Sequence, residues 1–409
     1  MTADLFPSHA PSEPLDSLLS QLELGSEDQL HIVRRLPLDI LGEIFNHLRQ
    51  DTRTIWVLGS VCKTWRAATF SLPAIWSNIE RGLPLRVIAT HLERSQASAL
   101  SIHVGPLETT ALQLLIPHSP RWDSVKLQMG GSGLALLDQI HGRIPFLRRV
   151  DFYDYVARPK VCRAFEIAPR LSEVSLMGSM PLVLPWAQIQ RAFIGLQDID
   201  LALQQLQLAV SLVELKLMTF VGVPSSIAHI ELPRLRKLFV NNTSLLGVLL
   251  CPSLEELFLH DDAESTLVIP FLQQSTCRLR RLTSRTSSAP DILSILINAP
   301  SLCELRLTGK CSLPDLLPQL MSHQTDRPLG PELRHLTLNG IKTDDDCVSV
   351  VEMMQSRPAL SLCVFNYKKG KLSRRGLETL NRFKGFEVEW LTADAAKSRY
   401  HSWQDEFPS

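Results

Sequence analysis

A recurring apolar pattern, L-x-x-[LV]-x-[LVF], constrains the fold of this 409-residue chain more than any other feature of its sequence. From residue 147 onward, the first leucines of successive copies are 16 to 31 residues apart. In each copy the last two apolar positions are two residues apart, so they lie on one face of a short β-strand. The predicted copies span residues 122–127, 147–152, 171–176, 196–201, 212–217, 235–240, 254–259, 279–282, 302–307 and 333–338.

Units of this length cannot bury their apolar faces alone, so they stack on one another into a solenoid. Apolar residues at helical spacing in segments 292–297 and 347–354 predict helices that return the chain between strands. The uneven intervals predict that other returns are short loops. The predicted fold class is therefore α/β: an irregular leucine-rich-repeat-like alpha/beta solenoid over residues 121–365, with a C-terminal cap and tail over residues 366–409.

The segment that precedes the repeats combines short helical patterns with a high density of aliphatic and aromatic residues. A Leu-Pro pair opens one predicted helix, because proline is well tolerated in the first helical turn. A second helical run carries Leu58, Val61, Cys62 and Trp65 on one stripe. So short a segment is not expected to enclose this much apolar surface by itself. We therefore expect it to complete its core against a partner.

An ordered motif runs through residues 34–80. Its members are Leu36, Pro37, Ile40, Leu41, Ile44, Phe45, Leu48, the run Val61-Cys62-Lys63-Thr64-Trp65-Arg66, Pro73 and Trp76. This motif resembles the F-box family, which implies that these helices bind a Skp-type adaptor. That adaptor would join the chain to a cullin scaffold in an SCF-type ubiquitin ligase. The residues expected to contact the adaptor are Leu36, Pro37, Leu41, Ile44, Phe45, Val61, Cys62 and Trp65.

Two further strings resemble F-box proteins of mushroom-forming fungi. One is Leu92-Glu93-Arg94-Ser95 followed by a strand-like segment 100–104, and the other is His118-Ser119-Pro120-Arg121-Trp122. Residues 81–120 are accordingly predicted to be a linker that contains a strand. Residues 1–33 are predicted to be a disordered N-terminus, in which the apolar spacing of segment 15–32 is compatible with a short helix.

The polar residue just before the middle apolar position of each copy should lie on the outward face of its strand. These residues alternate in charge from copy to copy: Glu214, Lys237, Glu256, Arg281 and Glu304. Because neighbouring parallel strands lie about 4.8 Å apart, they predict a row of opposite charges across the sheet. The row either stabilises the stack or contributes to binding, and the sequence leaves both interpretations open.

A second outward column predicts where a recruited protein would bind. Its members are Lys126, Asp151, Ser175, Asp200, Lys216, Phe239, Phe258, Thr283 and Arg306. Adjacent exposed aromatic residues beside arginine and histidine are typical of protein-binding hot spots. The substrate-binding candidates are therefore Lys216, Phe239, Phe258, His260, Arg285 and Arg306. The alternative is that a C-terminal segment or a loop covers these side chains.

The overall composition excludes several functional classes. Lysine plus arginine equal aspartate plus glutamate, 42 against 42, so no net charge favours nucleic acid or acidic lipid. We find neither a signal peptide nor an apolar run long enough to span a membrane. The eight cysteines lack C-x-x-C pairing, which is typical of reduced intracellular thiols. We expect a cytoplasmic or nuclear protein, or one present in both compartments, that binds neither nucleic acid nor membrane.

The sequence contains no recognisable catalytic, cofactor-binding or metal-binding motif. Gly130-Gly131-Ser132-Gly133 lacks the residues of a phosphate-binding loop or of a nucleophile elbow. Asp344-Asp345-Asp346 stands where a helix is predicted to begin, and carboxylates there complement the helix dipole. We therefore expect a non-catalytic subunit that binds no cofactor.

The F-box resemblance and the repeats together imply the substrate-recognition adaptor of an SCF-type ubiquitin ligase. The F-box would hold the Skp-type adaptor, and through it the cullin, while the repeats bind an unidentified target protein. Two alternatives stay open. One is an F-box protein that acts outside a ligase, and the other is a leucine-rich-repeat scaffold that binds proteins without the adaptor.

Overall fold

A computed structural model describes most of the chain between residues 36 and 391. The described residues are 36–48, 52–129, 131–154, 161–178, 182–196, 199–219, 229–260, 265–285, 288–308, 312–321, 329–339, 343–365, 378 and 388–391. The predictions for residues 1–33 lie outside them, as does most of the predicted cap and tail. The chain divides into two compact units. The helical unit ends at Ile79 and includes residues 89–98, and the sheet unit comprises residues 80–88 and those from Ala99 onward.

Short helices build the helical unit. They are α1 (Leu38–Leu48), α2 (Thr52–Val61), α3 (Lys63–Ser71) and a 3₁₀ helix (Pro73–Ser77), followed by β1 (Asn78–Ile79) and by α4 (Leu85–Arg94), which runs through the boundary between the units. The predicted continuous stripe from Leu58 to Trp65 is interrupted at Cys62. Its backbone is extended, and its Sγ accepts a hydrogen bond from the Trp65 amide at 3.4 Å. Cys62 is therefore the N-cap of a new helix.

The helical unit has a hydrophobic core of its own. The core consists of Leu41, Phe45, Ile55, Leu58, Ala68, Ile75 and Trp76, with Leu36, Trp65 and Leu72 packed against it. The indole N–H of Trp76 donates to the Thr69 carbonyl oxygen at 2.8 Å, which pairs the polar atom of this buried ring. The unit thus encloses a core within itself, and the expectation that a partner adds to it stays a prediction. The 3₁₀ helix brings two large side chains, Ile75 and Trp76, into the space between the longer helices.

A long parallel sheet dominates the second unit. Its strands follow the chain order β2, β3, β4, β5, β6, β7, β9, β11, β12, β13, β14, β15, β16, whereas β8 and β10 pair separately. The strands are β2 (Leu100–Val104), β3 (Trp122–Met129), β4 (Arg149–Asp154), β5 (Glu173–Gly178), β6 (Arg191–Leu196), β7 (Glu214–Thr219), β8 (Ile230–Glu231), β9 (Lys237–Val240), β10 (Leu249–Leu250), β11 (Glu256–Leu259), β12 (Arg281–Ser284), β13 (Glu304–Leu307), β14 (His335–Asn339), β15 (Ser361–Phe365) and β16 (Val388–Leu391).

Helices and 3₁₀ turns connect many of these strands. The helices are α5 (Thr109–Leu115), α6 (Gly131–Leu137), α7 (Ile199–Leu206), α8 (Ser265–Ser275), α9 (Ala289–Asn298), α10 (Leu313–Leu320) and α11 (Asp344–Ser356). The 3₁₀ turns are Ile116–Arg121, Asp138–Ile140, Trp186–Gln188 and Thr243–Val248. Helices α9 and α11 confirm the helical returns predicted for segments 292–297 and 347–354. Thr343 and Asp346 form a reciprocal capping box at the start of α11, as the acidic run there indicated.

Buried leucines set the register of the sheet. Leu215, Leu238, Leu257, Leu282 and Leu305 are directly paired from β7 to β13. All five are at most 2 % exposed. Because a slip of one residue would turn every such side chain to the opposite face, their burial specifies the pairing. The α/β class and the parallel strands agree with the sequence pattern.

One predicted strand was wrong. The copy at residues 196–201 is not a strand, because β6 ends at Leu196 and helix α7 begins at Ile199. The buried side chains that β6 contributes are Ala192 and Ile194, preceded by buried Ile189. The segment that forms β6 has no leucine at these three positions, so it does not match the leucine-based repeat pattern. In α7 the buried residues recur at helical spacing: Ile199, Ala202, Leu203 and Leu206.

Gly178 ends strand β5 with a backbone that favours glycine. Its φ is +109°, and a Cβ at this position would overlap the carbonyl oxygen of Asp154 on the neighbouring strand. A residue with a side chain could adopt this geometry only with strain. The two strands therefore approach closely here because residue 178 is glycine.

Candidate functional site

Helices α1 and α2 of the helical unit each carry a pair of exposed aliphatic residues, and we call the two pairs together the apolar face. It consists of Ile40 and Ile44 on α1 and Val57 and Val61 on α2. Each pair is four residues apart, so its members share one side of their helix. These side chains are 37–55 % exposed, and Leu38 at the start of α1 is exposed as well. Exposed aliphatic residues grouped in this way are typical of protein-binding surfaces.

The residues expected to contact an adaptor fall into three groups in the structure. Pro37, Ile44 and Val61 are exposed, whereas Leu36, Cys62 and Trp65 are half-buried. Leu41 and Phe45 are fully buried, and the Phe45 ring packs edge-on against Trp65 at 5.2 Å. These two residues lie on the core side of α1, and one position along a helix turns a side chain by about 100°. Ile40 precedes Leu41 and lies on the exposed side instead.

A second aromatic group in the helical unit surrounds Trp76. The Arg94 guanidinium lies over the rings of Phe70 and Trp76, at 4.1 and 4.5 Å from their centroids. His91 packs against Trp76, and its Nδ1 donates to the Trp76 carbonyl oxygen at 3.1 Å. Its Nε2 is buried and has no hydrogen-bond partner among the described residues. Burial lowers the pKa of His91, so the imidazole is neutral in the folded protein.

In the sheet unit, the side chains that alternate with the buried apolar ones form what we call the open face. Its first column, which we call the charge ladder, alternates in sign along paired strands. The ladder consists of Arg149, Glu173, Arg191, Glu214, Lys237, Glu256, Arg281 and Glu304, and His335 follows on β14. The predicted register of Glu214, Lys237, Glu256, Arg281 and Glu304 is confirmed.

Ion pairs connect several neighbours within the charge ladder. Lys237 Nζ lies 3.2 Å from Glu214 Oε1, and Arg281 pairs with Glu256. Glu173 pairs with Arg191 and lies 3.9 Å from Arg149 Nη1. Arg149, Glu173 and Arg191 were not among the predicted members. Arg149 and Glu173 also directly precede the middle apolar position of their copies, so the same spacing could have identified them. Arg191 was missed because the strand that carries it was predicted in the wrong place.

The second column of the open face has an aromatic centre. Its paired residues are Lys126, Asp151, Ser175, Phe193, Lys216, Phe239, Phe258, Thr283, Arg306 and Thr337. Lys216 Nζ lies 4.8 Å from the ring centroid of Phe193 and 5.0 Å from that of Phe239. Phe239 stacks on Phe258 with centroids 4.6 Å apart. Phe193 occupies the place predicted for Asp200, which lies on helix α7.

The predicted hot spot is less accessible than expected. Phe239 and Lys216 are only 3 % and 7 % exposed. The reason is that Lys216 lies over one side of the Phe239 ring and Phe258 stacks on the other. Phe258 and His260 are half-buried, and Arg285 is exposed. Arg306 is half-buried and pairs with Glu304. The accessible part of the predicted patch is therefore its edge, and its centre is a packed cation–π stack.

Beside the aromatic centre, the open face has a depression around Ser175. Its polar and aromatic lining includes Arg149, Asp151, Glu173, Arg191, Phe193 and Glu214. Ser175 is buried, and its hydroxyl has no hydrogen-bond partner in the described part of the chain. Asp151 accepts hydrogen bonds from Arg149 Nε at 3.0 and 3.2 Å. Its pKa is nevertheless raised, because burial outweighs the attraction of this guanidinium.

The cysteines and acidic groups of the described residues do not suggest other chemistry. Burial raises the pKa of the Cys162 and Cys347 thiols to about 11, so they stay protonated at neutral pH. The described side chains include no group of three or more His, Cys, Asp or Glu placed to hold a metal ion. None of the helices given above has both the length and the apolar character that crossing a bilayer requires.

Comparison with known proteins identifies one part of the chain. A model of the F-box-like family matches residues 33–81. No curated protein matches the chain. The matched residues include helices α1 to α3, the 3₁₀ helix and the apolar face formed by Ile40, Ile44, Val57 and Val61. The chain therefore carries an F-box-like domain at residues 33–81, which lies in the helical unit up to Ile79.

Proposed function

We propose that this chain is the substrate-recognition subunit of an SCF-type ubiquitin ligase, active in the cytoplasm or nucleus. The observation that carries the proposal is the F-box-like domain at residues 33–81, since F-box domains typically bind Skp-type adaptors. Through such an adaptor the chain would be joined to a cullin scaffold. The sheet unit, which we propose to be a leucine-rich-repeat-like solenoid, would hold the target protein.

The proposed mechanism requires no catalytic side chain in this protein. Holding a target near a ubiquitin-carrying enzyme raises the effective concentration of the two reactants. Ubiquitin transfer is then faster because an encounter in solution is replaced by a tethered one. In this mechanism the protein supplies two binding surfaces, and the chemistry belongs to the enzyme that carries ubiquitin.

The apolar face of the helical unit supports the adaptor contact. Burying one large aliphatic side chain contributes about 1.5–3 kcal/mol. Ile40, Ile44, Val57 and Val61 would therefore account for much of the affinity of a stable interface. The packed core beneath them, including Leu41 and Phe45, keeps α1 and α2 in a fixed arrangement. We assign the direct contact to the exposed residues and the support of the helices to the buried ones.

Co-purification with a Skp-type adaptor tests this part of the proposal. The double substitution Ile44→Glu and Val61→Glu places charges on exposed positions, so we expect loss of capture without loss of fold. The matched control is Ile297→Glu, which changes an aliphatic residue that is 63 % exposed on helix α9. Capture by the wild type and by the control, but not by the double variant, supports the contact. Equal capture by all three proteins contradicts it.

Two further measurements separate the ligase from its alternatives. Co-purification of the cullin with the adaptor complex is expected of a ligase subunit and not of an F-box protein that acts elsewhere. Adaptor-dependent ubiquitination of a bound target is the second measurement. A folded protein that captures no adaptor would instead be a scaffold whose sheet unit binds proteins.

A further inference from the structure

We propose that the open face of the sheet unit selects an acidic protein segment with an aromatic or aliphatic anchor. This inference rests on the proposed function, because it names the kind of segment by which the target would be held. Three observations support this inference: the excess of positive charge on the open face, the position of its phenylalanines and the ion pairs that its arginines already form.

The open face carries an excess of positive charge, although the whole chain has none. From β3 to β13, including the residue after β12, its basic residues outnumber its acidic ones by three. The basic residues are Lys126, Arg149, Arg191, Lys216, Lys237, Arg281, Arg285 and Arg306. The acidic residues are Asp151, Glu173, Glu214, Glu256 and Glu304. Such an imbalance attracts acidic partners and repels basic ones.

Two phenylalanines of the open face lie beside several of its basic residues. Phe239 stacks on Phe258, with Lys216 on one side of the pair and, on the other, Arg285 just after β12 and Arg306 on β13. The half-buried Phe258 ring is already ordered by its packing on Phe239, so contact with an apolar side chain of a ligand costs it little further conformational freedom. A segment with an aromatic or aliphatic side chain against Phe258, and acidic residues on either side, would complement both properties.

The ion pairs that the open-face arginines already form favour a ligand with carboxylates over one with phosphates. Phosphate recognition typically uses arginines that converge on one anion. Here each open-face arginine on a strand is already paired within the face: Arg149 with Asp151, Arg191 with Glu173, Arg281 with Glu256, and Arg306 with Glu304. Two accessible cations lie outside the charge ladder and these pairs: Lys126 is on β3, and Arg285 directly follows β12. Single charges at intervals match carboxylates spaced along a segment.

Ser175 adds a hydrogen-bonding position to the open face. Its hydroxyl is buried without a partner among the described residues and lies in the depression between Asp151 and Phe193. A buried hydroxyl that lacks a hydrogen bond is costly, and a ligand group can supply one. A backbone or side-chain oxygen or nitrogen of the bound segment would satisfy it. We therefore place one end of the segment at β5 and its anchor at β11.

Selection from a displayed library of random peptides on the full-length protein tests this inference. We expect the selected peptides to carry Asp or Glu around an aromatic or aliphatic residue. One selected peptide is then synthesised in its glutamine-substituted and phosphoserine-substituted forms, and binding is measured by fluorescence anisotropy. The glutamine form should bind about tenfold or more weakly, because several charge contacts of modest strength are lost together.

Variants of the full-length protein locate the binding. Arg285→Glu and Phe258→Ala change accessible parts of the open face, and each should weaken the acidic peptide about fivefold or more. The matched control is Arg280→Glu, an exposed arginine that precedes the same strand and lies outside the open face. It should change binding less than about twofold. Equal effects of Arg280→Glu and Arg285→Glu would overturn the assignment.

The remaining outcomes also distinguish the two proposals. No enrichment of acidic residues, or tighter binding of the phosphoserine form or of a single-stranded RNA oligonucleotide, overturns this inference. Adaptor capture is measured on the same protein preparation. If the adaptor is captured without acidic enrichment, only this inference fails. If acidic peptides bind but no adaptor is captured, the ligase proposal fails and the open face stays a binding surface.

Discussion

Exchanging Glu214 and Lys237 tests whether the charge ladder acts as one continuous row or as separate ion pairs. In the structure Glu214 lies between Arg191 and Lys237, and Lys237 lies between Glu214 and Glu256. Reversing either charge alone converts two attractive contacts into two repulsive ones. Reversing both restores attraction within the exchanged pair but creates repulsion with Arg191 and with Glu256.

The magnitude follows from the number of contacts and from their exposure. The side chains of Glu214 and Lys237 are 16 % and 31 % exposed, so solvent screens each contact in part. Contacts of this kind contribute about 0.2–1 kcal/mol each. Each single reversal should therefore lower the free energy of unfolding by about 1–3 kcal/mol. The double exchange should lower it by a similar amount, because it also leaves two repulsive contacts.

Urea-induced unfolding, followed by far-ultraviolet circular dichroism, measures these differences. The control is the exposed ion pair between Arg148 and Asp123, which lies outside the charge ladder. Exchanging the two residues there should restore the stability that either single reversal removes. All effects should shrink at high salt, because ions screen partly exposed charges. Wild-type stability in the Glu214/Lys237 exchange would refute the continuous row.

Three other expectations follow from local contacts. Stability of the helical unit should fall as the pH drops below about 6.5, because the lowered pKa of His91 makes the unfolded state the better proton acceptor; His91→Gln should flatten this dependence in unfolding midpoints measured across pH. Gly178→Ala should cost about 1–3 kcal/mol in urea unfolding, because the added Cβ meets the Asp154 carbonyl oxygen, whereas Gly247→Ala has open space. Thr343→Ala should cost about 1 kcal/mol through loss of a helix cap, and a Thr343→Ser variant that is equally unstable would contradict this reason.

The sequence predicted the features that depend on a strict alternation of side chains. Buried leucines at intervals of two define which residues point outward, so the register of Glu214, Lys237 and Glu256 could be read from spacing alone. The helices α9 and α11 were predictable for a similar reason, since their apolar residues recur at helical spacing. The F-box-like domain was identified from its ordered motif, and the family comparison supports it.

The features that escaped prediction depend on packing between neighbours. Strand β6 was missed because Ala192 replaces the expected leucine, which moved Phe193 out of the predicted column. Phe239 was expected to be exposed because alternation gives the direction of a side chain and not what covers it. The cover comes from Lys216 and Phe258 on adjacent strands. Spacing likewise did not show that the helical unit packs buried residues, Trp76 among them, into a core of its own.

The alternation of charge has a consequence for how such a chain can grow or shrink. Because the sign changes at every strand, the ladder has a period of two strands rather than one. Duplication or deletion of one strand with its connection would bring two like charges into register at the junction. Gain or loss of two consecutive strands would preserve the alternation. Insertions that keep this part of the sheet intact are therefore expected in even numbers of strands, which makes a pair of strands the unit of change.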